Sequence, residues 1–390
     1  MMREPIRGSN RLVNVLKCEP IRVSNRLMTY NWQQPDWPDF RYDLGAVEAE
    51  LLHFSEHAGR VGGLLHGLTE VDQNDAFVEL MIAEAMKSSA IEGEALSRPD
   101  VKSSIRFRLG LDASAPASVD EPSAGAAELM VQVRNEWDQP LDREMMFNWH
   151  RALMRGNPRV KVGGWRTHEE PMQVISGAVG KEKLHFEAPP SAQVPDQMAA
   201  FVHWFNQSAN QLPAAPVRAA LAHLYFESIH PFEDGNGRLG RAVAEKALSQ
   251  GLGRPATISL SRTIEANRTR YYDALEHAQR SNEVTNWINY FVPVVVAAQR
   301  DAVDLVKFIL DQAKLFDRLR EQLSERQTKV LRRMLADGPG GFKGGMNARK
   351  YVSLTKTSKA TATRDLQRLA KLGALVPVGA GRSSRYEVNL

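Results

Sequence analysis

Apolar side chains recur three and four positions apart in segment after segment of this chain, and that spacing admits little but helix. FRYDLGAVEAELLHFSEHAGRVGGLL (40–65) and NDAFVELMIAEAMKSSAIEGEAL (74–96) carry it, followed by AGAAELMVQVRNEW (124–137) and DREMMFNWHRALMR (142–155). It resumes in VPDQMAAFVHWFNQ (194–207), PVRAALAHLYFESIH (216–230), RLGRAVAEKALSQG (238–251), TIEANRTRYYDALEHAQRS (263–281) and a long run over 285–323. LGLDASAPASVDEPSAG (109–125), rich in small residues and proline, reads as a loop between the earlier helices. The pattern breaks once, over 161–190, where PMQVISG and KLHFEAPP flank a glycine-containing turn and read as a β-hairpin over 172–186. The expected fold class is therefore mainly α, a helical core with one β-hairpin.

Charge divides the chain. Net charge is +4 over 390 residues, but residues 326–390 hold fourteen Lys/Arg against three Asp/Glu, which leaves the rest net acidic. Such asymmetry indicates a basic module joined to a mildly acidic body. The module reads as three helices, SERQTKVLRRMLADG, NARKYVSLTK and SKATATRDLQRLAKLG, the last with Ser358 as N-cap. Two strands around a Gly-Arg-Ser turn follow, which is the element order of a winged helix-turn-helix. Lys359, Arg364, Arg368 and Lys371 on the third helix, with Arg382 and Arg385 in the turn, would suit a helix in the major groove of DNA and a wing on its phosphates. The same module would equally serve contacts in a homodimer, or be a solvated basic face.

The N-terminus repeats itself: EPIRGSNRL (4–12) recurs as EPIRVSNRL (19–27). Two copies are too few for a solenoid, so residues 1–27 read as a duplicated, poorly ordered leader, with Met28 as the natural start. WQQPDWPDF reads as an extended strip anchored on the body by Trp32 and Trp37. No apolar run is long enough to span a membrane and no secretory signal is present. The single cysteine, Cys18, cannot form an internal disulfide. These features point to a soluble, cytoplasmic protein. The domains expected are the leader 1–27, a helical region 28–120, a core 121–310 and a winged-helix module 311–390.

The chemistry concentrates in HPFEDGNGRLGR (230–241). Pro231 disfavours helix at His230, so the preceding helix stops there. Gly235, Asn236 and Gly237 tolerate a tight turn, and a new helix starts near Arg238. A glycine-rich turn feeding a helix N-terminus aims backbone N–H groups at one spot, where the helix dipole favours an anion. Arg238 and Arg241, three residues apart, share a helix face and suit phosphate oxygens. Asp234 beside such a cradle is a natural Mg²⁺ ligand, since Mg²⁺ takes one or two carboxylates with phosphate oxygens and water. His230 can take a proton from an attacking hydroxyl near neutral pH.

HPFEDGNGRLGR fits the Fic signature His-Pro-Phe-x-(Asp/Glu)-Gly-Asn-Gly-Arg-x-x-Arg at every defined position, and the chain resembles Fic proteins over about residues 28–310. WQQPDWPDF is similar to the N-terminal extension of one bacterial subgroup. Fic proteins mostly move AMP from ATP onto a Ser, Thr or Tyr hydroxyl of a protein. The resemblance implies an enzyme using ATP and Mg²⁺ on a protein substrate or on itself. It implies that His230 is the base, that Asp234 holds the metal, and that Gly235, Asn236 and Gly237 cradle phosphate while Arg238 and Arg241 bind it. It also implies that the hairpin is a flap receiving a target segment as an added strand, with Val174, Ile175, Ser176 and Gly177 beside the nucleotide and Tyr271 or Tyr272 near the adenosine.

Many Fic proteins carry an inhibitory helix with the pattern (Ser/Thr)-x-x-x-Glu-(Gly/Asn). Ser88 to Gly93 fits it, and the resemblance then pairs Glu92 with Arg241, where it crowds the γ-phosphate and counts among the nucleotide-site residues. Two alternatives share these residues: a hydrolase in which Glu92 orients a water that removes AMP, and a DNA-binding regulator in which the core only senses nucleotide.

Overall fold

The structure, a computed structural model, describes residues 29–116, 118–177, 182–212, 214–336, 338–339, 341–379 and 385–390. The leader 1–27, Cys18, Met28 and Arg382 lie outside these residues. The described chain falls into two compact units. One holds the residues up to Ala58 together with Phe77–Gln299; the other holds Gly59–Ala76 and Arg300–Leu390.

The helices, in chain order, are α1 (Glu48–His66), α2 (Glu70–Ile91), α3 (Arg98–Arg108), α4 (Glu121–Asn135) and α5 (Arg143–Leu153). The strands β1 (Gln173–Ser176) and β2 (Lys183–Glu187) follow. Then come α6 (Val194–Gln211), α7 (Ala215–Ile229), α8 (Asn236–Leu252), α9 (Leu260–Ala266), α10 (Arg268–Ala278) and α11 (Thr285–Arg318). Caps set many of the starts: Asp120 accepts from Ser123 N, Asp142 from Met145 N and Ser259 from Arg262 N, each satisfying an orphan donor of the first turn.

Helix α7 is the axis of the first unit. Each of its residues from Ala215 to Ile229 is buried, polar ones included. Its arginine survives there because Arg218 is fully bonded: Nε donates to Ser208 Oγ at 3.0 Å, and the two terminal nitrogens reach Ala247 O, Phe205 O and Gln250 Oε1. Helix α8 packs beside α7, and Gly240 permits the contact: a Cβ there would lie 2.3 Å from Glu227 Oε1. β1 and β2 pair antiparallel with a bulge between Val174 and Ile175. Under this hairpin Phe186, Met172 and Ala188 pack with Tyr30.

In the second unit α12 (Glu325–Leu335), α13 (Ala348–Thr355) and α14 (Lys359–Lys371) precede the antiparallel strands β3 (Leu375–Val378) and β4 (Arg385–Val388). Val330, Leu331 and Met334 of α12, Tyr351 of α13, Ala362, Leu366 and Leu369 of α14, and Leu375 of β3 form its core with Leu315 and Leu319. Ser358 caps α14 through Thr361 N. No described helix is long and apolar enough to cross a membrane.

Several local expectations need correction. The segment 32–40 is not extended: Asn31–Gln33 is a short 3₁₀ turn, with further turns to Pro38. Trp32 and Trp37 are still its anchors, donating to Glu187 O and Gln197 Oε1, both at 2.8 Å. Helix α3 (Arg98–Arg108) is an addition, in a stretch where the apolar spacing marks no helix. The run 263–281 is two helices, because Asn267 ends α9 and caps α10 by accepting from Arg270 N. Helix α8 begins at Asn236 rather than near Arg238.

Candidate functional site

The α7–α8 turn is built by its own side chains. Asn236 accepts from Phe232 N at 2.9 Å and donates to Phe232 O at 2.8 Å, closing the loop on itself. His230 and Gly235 bracket it in the left-handed region, at φ 51° and 82°. Glycine adopts that region freely; histidine does so at a cost, a pattern concentrated at functional sites. Arg166 holds His230 there. Its Nε donates to His230 O at 2.8 Å, while its terminal nitrogens reach Ser191 Oγ, Pro189 O and Ile229 O. Burial pushes the Arg166 guanidinium down to about 10, still charged near neutrality.

His150 of α5 braces the other end. Its ring stacks on Phe232, with centroids 4.1 Å apart. Gly163 N donates to Nδ1 at 2.9 Å, so Nε2 carries the proton and donates to Asp234 O at 3.2 Å. This is a neutral imidazole, and burial pushes its pKa down to about 4.

The turn they hold borders a cavity of about 520 Å³ lined by His230, Asp234, Gly237, Arg238, Glu92, Gly93, Val174, His185, Tyr271, Tyr272 and Glu276, among others. The size suits a nucleotide-sized ligand. His230 is 5% exposed, and neither ring nitrogen has a hydrogen-bond partner. Glu227 Oε2, one helical turn back, lies 3.6 Å from its Nδ1. Burial alone would raise the Glu227 carboxyl, but His230, His223 and Arg241 outweigh it and hold it below the ordinary range. A carboxylate behind Nδ1 favours the tautomer that leaves Nε2 as the basic nitrogen. Asp234 accepts from Gly235 N at 2.6 Å, lies 3.7 Å from Arg238, and its side chain is 40% exposed.

Glu92 follows the last residue of α2 and stands in front of α8. Its Oε1 is 2.9 Å from an Arg241 terminal nitrogen, and a Cβ at Gly237 would lie 2.3 Å from that oxygen. Ser88 completes the clamp, accepting from Arg241 Nε at 3.0 Å through its hydroxyl and from a terminal nitrogen at 2.9 Å through its carbonyl. Arg241 is 1% exposed. Burial opposes its charge, but Glu92, Tyr271 and Tyr272 raise its pKa further. Arg238 pairs with Glu94.

The structure thus brings His230, Asp234, Gly237, Arg238, Glu92 and Gly93 to one cavity, with Ser88 and Arg241 behind Glu92. Of the four flap residues expected beside a nucleotide, Val174 lines the cavity, whereas Ile175, Ser176 and Gly177 are not among its lining residues. Ile175 is buried, and a bulge separates it from Val174. Tyr271 and Tyr272 both line the cavity; the Tyr271 hydroxyl is engaged with His223 Nε2 at 2.8 Å. Sequence reasoning missed Arg166, His150 and Glu227. Only Glu227, three residues before His230 on one helix face, left a readable signal.

Residues 140–248, which contain this turn, all of α7 and most of α8, match the family model described as Fic/DOC family. The chain carries a Fic domain. Ahead of it, residues 30–111 match a model described only as a domain of unknown function, DUF4172, so Ser88 and Glu92 lie in that region while Arg241 lies in the Fic domain. A probable protein adenylyltransferase of Aquifex aeolicus is 33% identical over 95 residues, 24% of this chain and 27% of that protein. The protein adenylyltransferase Fic of Drosophila virilis is 26% identical over 224 residues, 56% of this chain and 41% of that protein. The chain spans less than half the length of these relatives. A solved Fic family protein from Desulfovibrio desulfuricans shares the fold, with a TM-score of 0.55 at 19% identity over 90% of this chain and 98% of that one.

Proposed function

We propose that this chain is a protein adenylyltransferase, transferring AMP from ATP to a Ser, Thr or Tyr hydroxyl of a protein, and that Glu92 restrains it. The observation that carries the proposal is the meeting, in one cavity, of an unpartnered buried imidazole with the N-terminus of α8 and Arg238. In this reading the α8 N-terminus and Arg238 hold phosphates, and His230 Nε2 takes the proton of the acceptor hydroxyl as it attacks the α-phosphorus. Glu227 keeps Nδ1 protonated. Asp234 suits Mg²⁺ borne by ATP: its carboxylate is partly exposed at the cavity, and this ion is commonly held by a single carboxylate plus phosphates. When bound, the ion would neutralise phosphate charge.

Glu92 restrains the reaction by occupying the guanidinium that a γ-phosphate would otherwise engage. Incubating the full chain with α-labelled ATP and a protein lysate tests the core of this reading. Label joined covalently to protein is expected, and ATP bound without any transfer would leave only a nucleotide sensor.

We also propose that the C-terminal unit contacts DNA. Lys359, Arg364, Arg368 and Lys371 are exposed on α14, and the last three lie across the helix from the buried Ala362, Leu366 and Leu369. That layout supports a helix presented to a groove.

A further inference from the structure

Two arginines of α8 are engaged by carboxylates of the protein itself, and only one of those carboxylates belongs to Glu92. Arg238, whose guanidinium suits a phosphate, is paired through Nη1 with Glu94. Its Nε is buried with no hydrogen-bond partner. Its other terminal nitrogen lies 3.7 Å from Asp234 Oδ1, too far for a good hydrogen bond. Glu94 is therefore the close partner of this guanidinium among the described residues.

The end of α2 delivers both carboxylates. Gly93 takes a left-handed φ of 81°. Gly93 N donates to Ala90 O at 3.1 Å, and Glu94 N to Ser89 O at 2.9 Å. These are the two bonds of a glycine-closed helix end. Glu92 and Glu94 flank that glycine, and each meets a different arginine: Glu92 meets Arg241 and Glu94 meets Arg238. Glu92, Glu94 and Arg238 all line the cavity of His230.

The two halves of the Glu94–Arg238 pair differ in what they can do alone. The Arg238 side chain is 8% exposed and that of Glu94 36%. A carboxylate so exposed can turn into water at little cost, whereas a guanidinium so buried needs a counter-charge. A phosphate entering the cavity offers that counter-charge, with an oxygen for Nε as well. A brace between helices does not account for the pair. Ser88 and Glu92 already fasten α2 to α8 through Arg241, and the Glu94 backbone is held by its bond to Ser89.

We propose that Glu94 is an exchangeable counter-ion of the nucleotide site. It holds Arg238 until ATP binds and then gives it up to a phosphate, so that it sets nucleotide affinity, whereas the restraint by Glu92 acts on turnover. This rests on the adenylyltransferase reading. Each binding event must break the Glu94–Arg238 pair, and ATP binds less tightly by the strength of that pair.

Titrations of the full chain with ATP and Mg²⁺, followed by melting temperature so that weak binding is also read, test this. Glu94→Gln keeps the size of the side chain and removes its charge. It should tighten ATP binding by about 3- to 10-fold, between the worth of an exposed ion pair and that of a buried one. In an Arg238→Gln background the same change should no longer alter the affinity, because the pair it breaks is already gone. Added to Glu92→Gly, Glu94→Gln should lower the ATP concentration that half-saturates label transfer. Equal ATP binding by Glu94→Gln and the parent overturns the proposal. Weaker binding also overturns it, and makes Glu94 a residue that positions Arg238 for phosphate. A gain of the same size in the Arg238→Gln background overturns it too, since the carboxylate then acts on ATP by charge alone. ATP bound by none of these chains overturns the nucleotide reading itself.

Discussion

At residue 230 the backbone adopts a left-handed conformation that costs a non-glycine side chain about 1–3 kcal/mol, and Arg166 holds it there through His230 O. A histidine is kept at such a site with neither ring nitrogen hydrogen-bonded, and it lines the cavity where an acceptor hydroxyl would enter. His230→Ala should therefore reduce transfer of label to other proteins by about 10²–10⁴-fold, the usual worth of a general base. ATP binding, measured by calorimetry, should survive, because the α8 N-terminus and Arg238 are untouched. Glu92→Gly acts on the opposite side of the same reaction. Removing the carboxylate frees Arg241 for a phosphate, and phosphoryl-type transfer depends on placement. Label incorporation should rise, mainly through turnover rather than ATP affinity. Arg241 then keeps its Ser88 contacts but loses the carboxylate paired with it, so the variant should also be less stable, and ATP should raise its melting temperature more than the parent's. Unchanged incorporation would make Glu92 a plain helix-end residue. If the parent strips AMP from a modified target and the variant cannot, Glu92 serves hydrolysis instead.

At the scale of elements, α7, α8 and the hairpin were legible because their patterns are local: apolar spacing, His-Pro and Gly-Asn-Gly punctuation, and alternation around a turn. Helix α3 was not legible, because its buried positions, Val101, Ser104 and Ile105, are few and one of them is polar. The break at Asn267 was hidden by uninterrupted apolar spacing on either side. The cradle itself was readable, but its supports were not. Arg166 lies in an irregular segment with nothing to mark it, and His150 looks like any histidine on an amphipathic helix; both act through contacts more than sixty residues away in sequence. The His150 brace has a measurable consequence. Its folded pKa is depressed to about 4 from 6.5, so between those values the unfolded chain binds a proton that the folded chain refuses. Stability should be fully present above pH 6.5 and fall as pH drops toward 4, by at most about 3 kcal/mol from this group. Denaturant unfolding at pH 7 and pH 5 should show the loss. His150→Asn, which retains polar atoms but cannot be protonated, should be less stable at pH 7 and show a shallower dependence on pH.

At the scale of the whole molecule, the separation of charge along the sequence corresponds to a compact C-terminal unit with its own core. Within it Arg326 is spent internally, paired with Asp365 at 2.8 Å, and Tyr351 donates to that same carboxylate. Residues 359, 364, 368 and 371 of α14 remain exposed. If they meet phosphates, binding to duplex DNA must weaken linearly in log–log terms with salt, with a slope of about −0.9 for each phosphate contacted. Arg364→Glu combined with Arg368→Glu removes two such contacts and adds repulsion, while leaving Ala362, Leu366 and Leu369 in the core. The double variant should lose affinity for any duplex, and its salt slope should be shallower by about 2. Charge reversal on an exposed helix face changes stability little, so the melting temperature should stay close to the parent's and separate lost contact from lost fold. Sequence preference supplies a further distinction. Residues that touch only phosphates weaken all duplexes alike, whereas a side chain reading base edges changes the ranking among them. Equal affinity and equal salt slope in parent and double variant would show that this face of α14 does not meet DNA, and would leave the basic charge of the unit as a solvated surface.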